Sequence, residues 1–236
     1  MGKAEIDKLH AKYKLSNAEI LQIGERIIKR YTIGVYAEAR PKVFILGGQP
    51  GSGKSELTKI ARSILGNNTV TCNADEYRDY HPKAEEIKRL YEQFYPEITV
   101  AYSQQWNNLL RKYCEENSIH FILETTFSSG DLMNETIRQL KQKGYEVSVM
   151  VLSVNKQISF LGTRIRYEEM KAVDGYGRLV DKAAHDEKYD KVAETLALVQ
   201  KAKNYNHIYI YGRAGNQSAK GKHNGVKEIS HNSRLH

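Results

Sequence analysis

Cysteine is scarce in this chain, and the scarcity limits what can hold the fold together. Only two of the 236 residues are cysteine, Cys72 and Cys114. Neither has a second cysteine or a histidine at the spacing of a metal site, so the sequence predicts neither a disulfide framework nor a structural zinc. We expect two reduced thiols, as is usual in a cytoplasmic protein.

Long apolar runs are also lacking. No stretch approaches the roughly 20 apolar residues that a membrane-spanning helix needs, so no membrane association is expected. The first ten residues, MGKAEIDKLH, are charged and lack the apolar core of a signal peptide. Ile6 stands where an N-myristoylation motif requires Ser or Thr. These observations favour a cytoplasmic location.

Negative charge is in deficit, because 36 Lys and Arg residues face 28 Asp and Glu residues and the formal net charge is +8. A basic balance favours an anionic partner, which is either a nucleic acid or a small phosphorylated substrate. Part of the excess lies in a basic stretch at the C-terminus. No motif of a DNA- or RNA-binding module accompanies the charge, so a nucleic-acid substrate is not expected.

Apolar segments alternate with amphipathic segments along most of the chain. The apolar segments predict strands at 43–46, 69–72, 120–123, 147–152 and 207–211. Apolar residues at helical spacing predict helices at 54–64, 83–95, 98–116, 131–144, 155–172 and 180–203, with a break around Pro96. Strands that alternate with helices predict βαβ units, hence an α/β fold with a mostly parallel sheet flanked by helices.

Three regions are expected. Residues 1–40 predict a helical segment packed on the core, with a capping box formed by Ser16 and Glu19. Residues 41–212 form the α/β domain. Residues 213–236 are poor in large apolar groups and rich in Gly, Asn, Ser, Lys and His, which predicts a disordered basic tail.

A glycine-rich segment follows the first predicted strand and precedes a predicted helix. It fits G-x-x-x-x-G-K-[ST] at every fixed position and consists of Gly48, Gln49, Pro50, Gly51, Ser52, Gly53, Lys54 and Ser55. In such a loop backbone N–H groups and the helix N-terminus hold phosphate, the lysine adds a positive charge and the serine hydroxyl binds Mg²⁺. The sequence therefore predicts a P-loop NTPase-like fold that binds ATP and Mg²⁺.

Acidic residues follow the second and third predicted strands, where an open α/β sheet places its reactive groups. Asp75 follows the second strand and Glu124 the third. A carboxylate beside an acceptor hydroxyl can orient it and take its proton, and Glu76 competes with Asp75 for this role. Glu124 could instead be the magnesium-binding acid of an ATPase that transfers phosphate to water, so a nucleotide-dependent switch stays open.

Phosphoryl transfer also needs cations around the transferred group, and arginine suits phosphate because its guanidinium forms a planar fork. Arg164, Arg166 and Arg178 lie in and after the basic helix predicted at 155–172. Composition and spacing do not choose among them.

These pieces occur in a characteristic order. They are GQPGSGKS at 48–55, NADEYRDYHP at 73–82, FILETT at 121–126, LGTRIRYE at 161–168 and a segment from Arg178 to His185-Asp186. The ordered set resembles the zeta toxins of bacterial toxin–antitoxin systems, over roughly residues 40–212.

The resemblance implies a kinase that uses ATP to phosphorylate the sugar 3′-hydroxyl of UDP-N-acetylglucosamine, which blocks synthesis of cell-wall precursors. It also implies a small helical antitoxin that covers the nucleotide site. By position, Lys54 and Ser55 hold phosphates and magnesium and Asp75 is the base. Glu124 and Thr126 are implied to bind substrate, and Arg166 and Arg178 to stabilise the transferred group.

The chain departs from the family pattern at Thr125, where glycine is frequent, and a bulkier residue there is expected to crowd the sugar. Proteins of this architecture also phosphorylate NAD or the hydroxyl of an antibiotic. A kinase of another small hydroxylated metabolite is therefore the alternative interpretation.

Overall fold

The structure is a computed structural model, and it describes residues 3–213 and 226–233. Its centre is a six-stranded sheet in the order β2-β3-β1-β4-β5-β6. The first five strands are parallel and β6 is antiparallel to β5. The strands are β1 Lys42–Gly47, β2 Thr69–Cys72, β3 His120–Glu124, β4 Glu146–Ser153, β5 His207–Arg213 and β6 Val226–Ser233.

Helices flank this sheet, as the alternating pattern predicts. They are α1 Lys3–Lys12, α2 Asn17–Tyr31, α3 Lys54–Leu65, α4 Ala84–Tyr91, α5 Tyr95–Glu116, α6 Gly130–Gln142, α7 Lys156–Asp174 and α8 Lys182–Ala202, with short 3₁₀ helices at Ala74–Tyr80 and Glu92–Phe94. The α/β fold with a mostly parallel, P-loop-like sheet is confirmed.

The central strand β1 is buried on both faces, which explains its continuous apolar sequence. Phe44 and Leu46 face the side covered by α3. Val43 and Ile45 face the opposite side, where α2, α5, α6 and α8 contribute to the larger core. Both cores are therefore anchored on the strand that leads into the glycine-rich segment.

The N-terminal helices pack against the domain. The predicted capping box is confirmed, since the Ser16 hydroxyl accepts from the Glu19 N–H at 3.2 Å and the Ser16 N–H donates to Glu19 Oε2 at 2.8 Å. Ile23 and Ile27 of α2 are 2% and 0% exposed. The indole of Trp106 in α5 donates to a main-chain carbonyl of α2 at 2.9 Å. The apolar face of α2 is thus part of the core.

The sequence placed a helix break at Pro96, and the structure corrects this position. The interruption is the 3₁₀ turn Glu92–Phe94, and α5 begins at Tyr95 with Pro96 in its first turn. Proline is tolerated there because the N–H groups of a first turn have no partner within the helix.

The predicted disordered tail at 213–236 is wrong in part. Residues 226–233 form β6, which pairs with β5 from His207↔Ser233 to Arg213↔Val226. Residues 214–225 and 234–236 lie outside the described residues. The strand was missed because its sequence is mostly polar, as an edge strand can be.

Both cysteines are buried and free, which confirms the expected thiols. In the part of the chain that the structure describes, no helix is long and apolar enough to cross a membrane.

Candidate active site

The glycine-rich segment forms the loop between β1 and α3, as the motif predicts. Gly51 and Gly53 have φ angles of +73° and +98°, in the left-handed region that favours glycine. These conformations turn the backbone around the N-terminus of α3, which begins at Lys54. The loop thus has the backbone shape and the helix terminus that a phosphate group needs.

Helix α7 lies directly on this loop. A Cβ atom on Gly51 would overlap the carbonyl oxygen of Ser159, and a Cβ atom on Gly162 would come within 2.5 Å of the Gly51 carbonyl oxygen. Only glycine at both positions allows this approach. Gly162, the glycine of the LGTR segment, therefore allows α7 to contact the loop.

A buried histidine connects α8 to α7. His185 is 0% exposed, its Nε2 lies 3.0 Å from the Ser159 hydroxyl and its Nδ1 lies 3.0 Å from Asp186 Oδ1. The ring also packs edge-on against Phe160. Asp186 thus orients His185, which in turn contacts Ser159 of α7.

Lys54 points back into the loop. Its Nζ donates to the carbonyl oxygens of Gly48 at 2.6 Å and Gln49 at 3.3 Å. Burial lowers the pKa of Lys54 to about 8, although the nearby carboxylates of Glu124 and Asp75 oppose the shift. The lysine is therefore a desolvated cation held at the centre of the site.

Two buried polar atoms at the site have no hydrogen-bond partner among residues 3–213 and 226–233. They are Ser52 Oγ in the loop and Arg166 Nε on α7. Buried polar groups are almost always paired, so unpaired ones beside a phosphate-shaped loop suit an anionic ligand. Gln49 differs, because its side-chain amide donates to the Val154 carbonyl at 3.1 Å and is turned away from the loop interior.

Asp75 lies between two guanidinium groups. Arg78 Nε is 3.0 Å from Asp75 Oδ1, and Arg178 Nη1 is 3.1 Å from Asp75 Oδ2. Burial alone would raise the pKa of Asp75, but Arg178, Arg78 and Arg166 outweigh it, so the pKa lies below its ordinary value. The carboxylate is therefore ionised at neutral pH and fixed in orientation.

Glu124 is held at the end of β3. It accepts from the Thr58 hydroxyl at 2.6 Å and from Asn73 Nδ2 at 3.1 Å. The competing acid Glu76 lies beside it, and burial together with the Glu124 charge raises the pKa of Glu76. Glu76 forms no ion pair with an arginine in the described part of the chain, in contrast with Asp75.

The structure also places the two threonines after β3. The Thr125 hydroxyl donates to the Leu46 carbonyl at 3.2 Å and accepts from the Phe127 N–H at 3.1 Å. Main-chain atoms thus hold the Thr125 hydroxyl, and the expected crowding of a sugar by this side chain stays a prediction. Thr126 is exposed and its hydroxyl lies 2.9 Å from that of Ser128.

Spacing left the three candidate arginines equal, and the family resemblance implied Arg166 and Arg178. The guanidinium of Arg164 stacks on Phe160, 4.9 Å from the ring centre. Arg166 and Arg178 instead face Asp75 and each other, and burial followed by the Arg178 charge lowers the pKa of Arg166. Lys54, Asp75, Glu124, Arg166 and Arg178 are thus brought into one cluster beside the loop.

Sequence reasoning missed four residues of this region: Thr58, Asn73, Arg78 and Arg213. Asn73 carried a usable signal, because an Asn directly after a strand often caps the next helix, and its Oδ1 accepts from the Asp75 N–H. Arg78 is buried against the Pro96 carbonyl and Thr99, contacts that no local pattern reveals.

The sequence is similar to one protein family and to named members of it. The family model described as "Zeta toxin" matches residues 26–222. Toxin zeta of Streptococcus agalactiae is 31% identical over 192 residues, which cover 81% of this chain and 67% of that protein. Toxin zeta of Enterococcus hirae is 31% identical over 183 residues, covering 77% of this chain and 64% of that protein. The chain thus spans about two thirds of the length of these relatives.

Solved structures are similar in fold. A structure of the PezAT chromosomal toxin–antitoxin system of Streptococcus pneumoniae superposes with a TM-score of 0.76 at 24% identity, over 85% of this chain and 80% of that chain. The AvrRxo1-ORF1:AvrRxo1-ORF2 complex with sulphate ions gives a TM-score of 0.66 at 11% identity, over 98% and 72% of the two chains. The family model and the 31% identical relatives together establish that the chain belongs to the zeta toxin family.

Proposed function

We propose that the protein is an ATP- and Mg²⁺-dependent kinase that phosphorylates a hydroxyl of a small molecule. The observation that carries the proposal is the position of an ionised, arginine-held carboxylate, Asp75, beside the loop lysine Lys54. Kinases of this type position two reactants and neutralise charge, and they need a carboxylate for the acceptor hydroxyl.

ATP would bind with its β-phosphate in the loop at residues 48–53. Backbone N–H groups of the loop, the N-terminus of α3 and Lys54 would hold the phosphates. The buried Ser52 hydroxyl and Arg166 Nε, which have no partner within the described residues, would gain phosphate oxygens as partners. The AvrRxo1-ORF1:AvrRxo1-ORF2 complex, which is similar in fold, has a crystal structure with ATP.

The residues at the loop fit a magnesium ion bound together with the nucleotide. Ser55 lies in the first turn of α3, and one turn later Thr58 fixes the Glu124 carboxylate. No group of three or more His, Cys, Asp and Glu side chains within the described residues is placed to hold a metal alone. Mg²⁺ takes few protein oxygens and completes its coordination shell with phosphates and water. Ser55 would be its protein ligand, and the ion would neutralise phosphate charge.

In the transfer step, the acceptor oxygen forms a bond to the γ-phosphorus while the bond from that phosphorus to the β,γ-bridging oxygen breaks, and ADP leaves. The acceptor proton passes to Asp75. Arg166 and Arg178 would neutralise the oxygens of the transferred group, for which their planar donors are suited. Their closeness to Asp75 supports this assignment.

We propose UDP-N-acetylglucosamine or a related UDP-sugar as the acceptor, phosphorylated at the 3′-hydroxyl of its sugar. Membership of the zeta toxin family supports this choice. Glu124, ordered by Thr58 and Asn73, and the exposed Thr126 lie at and just after the end of β3 and would bind the acceptor.

The same membership supports a biological role as the toxin of a toxin–antitoxin pair in the bacterial cytoplasm, blocking cell-wall precursor synthesis. PezAT is described as a chromosomal toxin–antitoxin system, and Toxin PezT of Streptococcus pneumoniae is 26% identical to this chain over 189 residues. The proposed partner is a small helical antitoxin protein, and neither a nucleic acid nor a membrane is part of the proposal.

The test offers UDP-N-acetylglucosamine, other UDP-sugars and NAD to the purified protein with ATP and Mg²⁺, and detects products by mass. We expect one phosphoryl group added to a UDP-amino sugar, at a rate that is lower by about 10²-fold or more with the Asp75→Asn variant. Phosphorylation of NAD alone would overturn the acceptor and keep the kinase. ATP hydrolysis that is independent of every acceptor would overturn the kinase itself and favour a nucleotide-dependent switch.

A further inference from the structure

One cation at the phosphate loop is not among the residues that the family resemblance assigns. Arg213 is the last residue of β5, and its Nη2 donates to the Gly51 carbonyl oxygen at 3.4 Å. The atoms nearest to a Cβ built on Gly53 are Arg213 Nη2 at 3.7 Å and Nε at 4.0 Å. The guanidinium therefore lies over the outer rim of the loop, against its fourth and sixth residues.

The side chain is available to a ligand. Arg213 is exposed, and within residues 3–213 and 226–233 no carboxylate forms an ion pair with it. Its backbone is fixed, because β5 pairs with β4 up to Gly212↔Ser153 and with β6 at Arg213↔Val226. A charged planar group is thus held at the loop by a hydrogen-bonded strand and lacks an anionic partner there.

The strand order gives the direction of a bound nucleotide. Asp75 follows β2 and Glu124 ends β3, and both strands lie on one side of β1 in the order β2-β3-β1-β4-β5. If the kinase proposal is correct, the γ-phosphate lies on that side, near Asp75, while the β-phosphate occupies the loop after β1. The α-phosphate and the nucleoside then extend to the other side, over β4 and β5, where Arg213 lies.

We propose that Arg213 binds the nucleoside end of ATP, with its guanidinium plane stacked on the base. Arginine is suited to this because its charge is delocalised over a plane and is weakly hydrated, so that it stacks on aromatic faces. Every base offers such a face, so this contact adds affinity without selecting adenine over guanine. The inference rests on the proposed nucleotide site and adds to it a residue that touches the base.

The competing explanation is a structural one, in which Arg213 only braces the loop through the Gly51 carbonyl. The two roles differ in what they do to a ligand that has no base. Inorganic tripolyphosphate carries the phosphate chain of ATP and nothing else. Losing a contact that only stabilises the loop would weaken the binding of both ligands, whereas losing a stacking contact would weaken the binding of ATP alone.

The experiment measures the dissociation constants of ATP and of tripolyphosphate, both with Mg²⁺ and without acceptor, for the wild-type chain and three variants. The variants are Arg213→Ala, Arg213→Lys and the control Arg138→Ala, which removes an exposed arginine paired with Glu135 on α6. We expect Arg213→Ala to weaken ATP about tenfold, the scale of one stacked base, and tripolyphosphate less than twofold. Arg213→Lys, which keeps the charge and loses the plane, should behave like the alanine variant, and Arg138→Ala like the wild type.

Four results would overturn the proposal. Equal losses for both ligands, with or without a lower melting temperature, would assign Arg213 to the phosphates or to bracing the loop. Full rescue by Arg213→Lys would show that charge and not stacking is used. Unchanged ATP affinity in Arg213→Ala would remove the contact while leaving the kinase proposal intact. A wild-type chain that bound neither ligand would overturn the nucleotide site as well.

Discussion

At the scale of single residues, Asp75 and Glu76 are adjacent acids with opposite surroundings. Arginines lower the pKa of Asp75, whereas burial and Glu124 raise that of Glu76. Asp75→Asn keeps the shape and removes the proton acceptor, so turnover should fall about 10²-fold or more while ATP still binds. Steady-state kinetics and a separate ATP titration measure the two effects.

Glu76→Gln is the matched control for this prediction, because it makes the same chemical change one residue away. We expect it to retain turnover within a few-fold of the wild type. A damaging Glu76→Gln together with a harmless Asp75→Asn would show that the base is Glu76.

Lys54 predicts a pH dependence. With a pKa of about 8 it is charged below that pH and neutral above it. ATP affinity should therefore weaken as pH rises through 8. The Lys54→Arg variant stays charged, so its ATP affinity should change little between pH 7 and 9.5. Isothermal titration across this range provides the measurement.

Loss of folding would not explain such weakening. The unfolded chain holds the Lys54 proton more strongly than the folded chain, so the contribution of Lys54 to stability rises with pH between about 8 and its ordinary 10.5. An ATP affinity that stays constant from pH 7 to 9.5 in the wild type would contradict the assigned role of the lysine charge.

Residues whose role depends on local spacing were predictable, and residues whose role depends on distant contacts were not. The loop from Gly48 to Ser55 is a contiguous motif, and Asp75 and Glu124 follow strands that the apolar pattern locates. Arg213 contacts Gly51 of the loop although it lies 162 positions away from it in sequence, so no local pattern reveals the contact. Spacing did not separate Arg166 from Arg164; the family resemblance implied Arg166, and in the structure Arg164 stacks on Phe160.

At the scale of elements, α2 supplies part of the core. Ile27 is 0% exposed, so Ile27→Ala should lower the free energy of unfolding by about 2–5 kcal/mol through lost burial and the cavity left behind. Leu21 on the same helix is 55% exposed, and Leu21→Ala should change the free energy of unfolding by about 0.5 kcal/mol or less. Chemical denaturation compares the two, and equal small effects would favour a partner-docking role for α2.

Contact between α7 and the phosphate loop gives a second prediction at this scale. Gly162→Ala would force its Cβ within 2.5 Å of the Gly51 carbonyl, which belongs to the backbone and has little room to yield. We expect ATP affinity to fall at least tenfold, because the loop must shift, with most of the stability retained.

The neighbouring Leu161→Ala serves as its control, since Leu161 is 58% exposed on the same helix. It should leave ATP binding within about twofold of the wild type. If Gly162→Ala binds ATP as well as Leu161→Ala does, ATP binding by the loop does not depend on close packing against α7.

Elements with strong patterns were placed well from sequence, and weakly patterned ones were not. The apolar strand at 43–46 and the helix at 54–64 lie within β1 and α3. Strand β6 was missed because its sequence, VKEISHNS, has neither alternation nor an apolar run, and its pairing with β5 determines its structure. Tertiary contacts override local propensity at such an edge.

At the scale of the whole molecule, the sheet brings groups from distant parts of the chain to one edge. Asp75 comes from the end of β2, Glu124 from β3, the loop from β1 and Arg213 from β5. The alternating pattern was enough to predict that edge as the place of chemistry. The pattern did not predict where the side chains of α7 and of the segment that carries Arg178 lie. Their positions depend on how α7 packs against the loop.

The two ion pairs of Asp75 have a consequence for the order of ATP binding and proton transfer. A carboxylate that is ion-paired with both Arg78 and Arg178 is a poor proton acceptor. In the proposed reaction an arriving γ-phosphate competes with Asp75 for Arg178, while Arg78 stays fixed by the Pro96 carbonyl. Losing one arginine raises the basicity of Asp75 only when the phosphoryl donor is in place. Under this proposal, Asp75 becomes an effective base after ATP has bound and remains a poor base in the empty site.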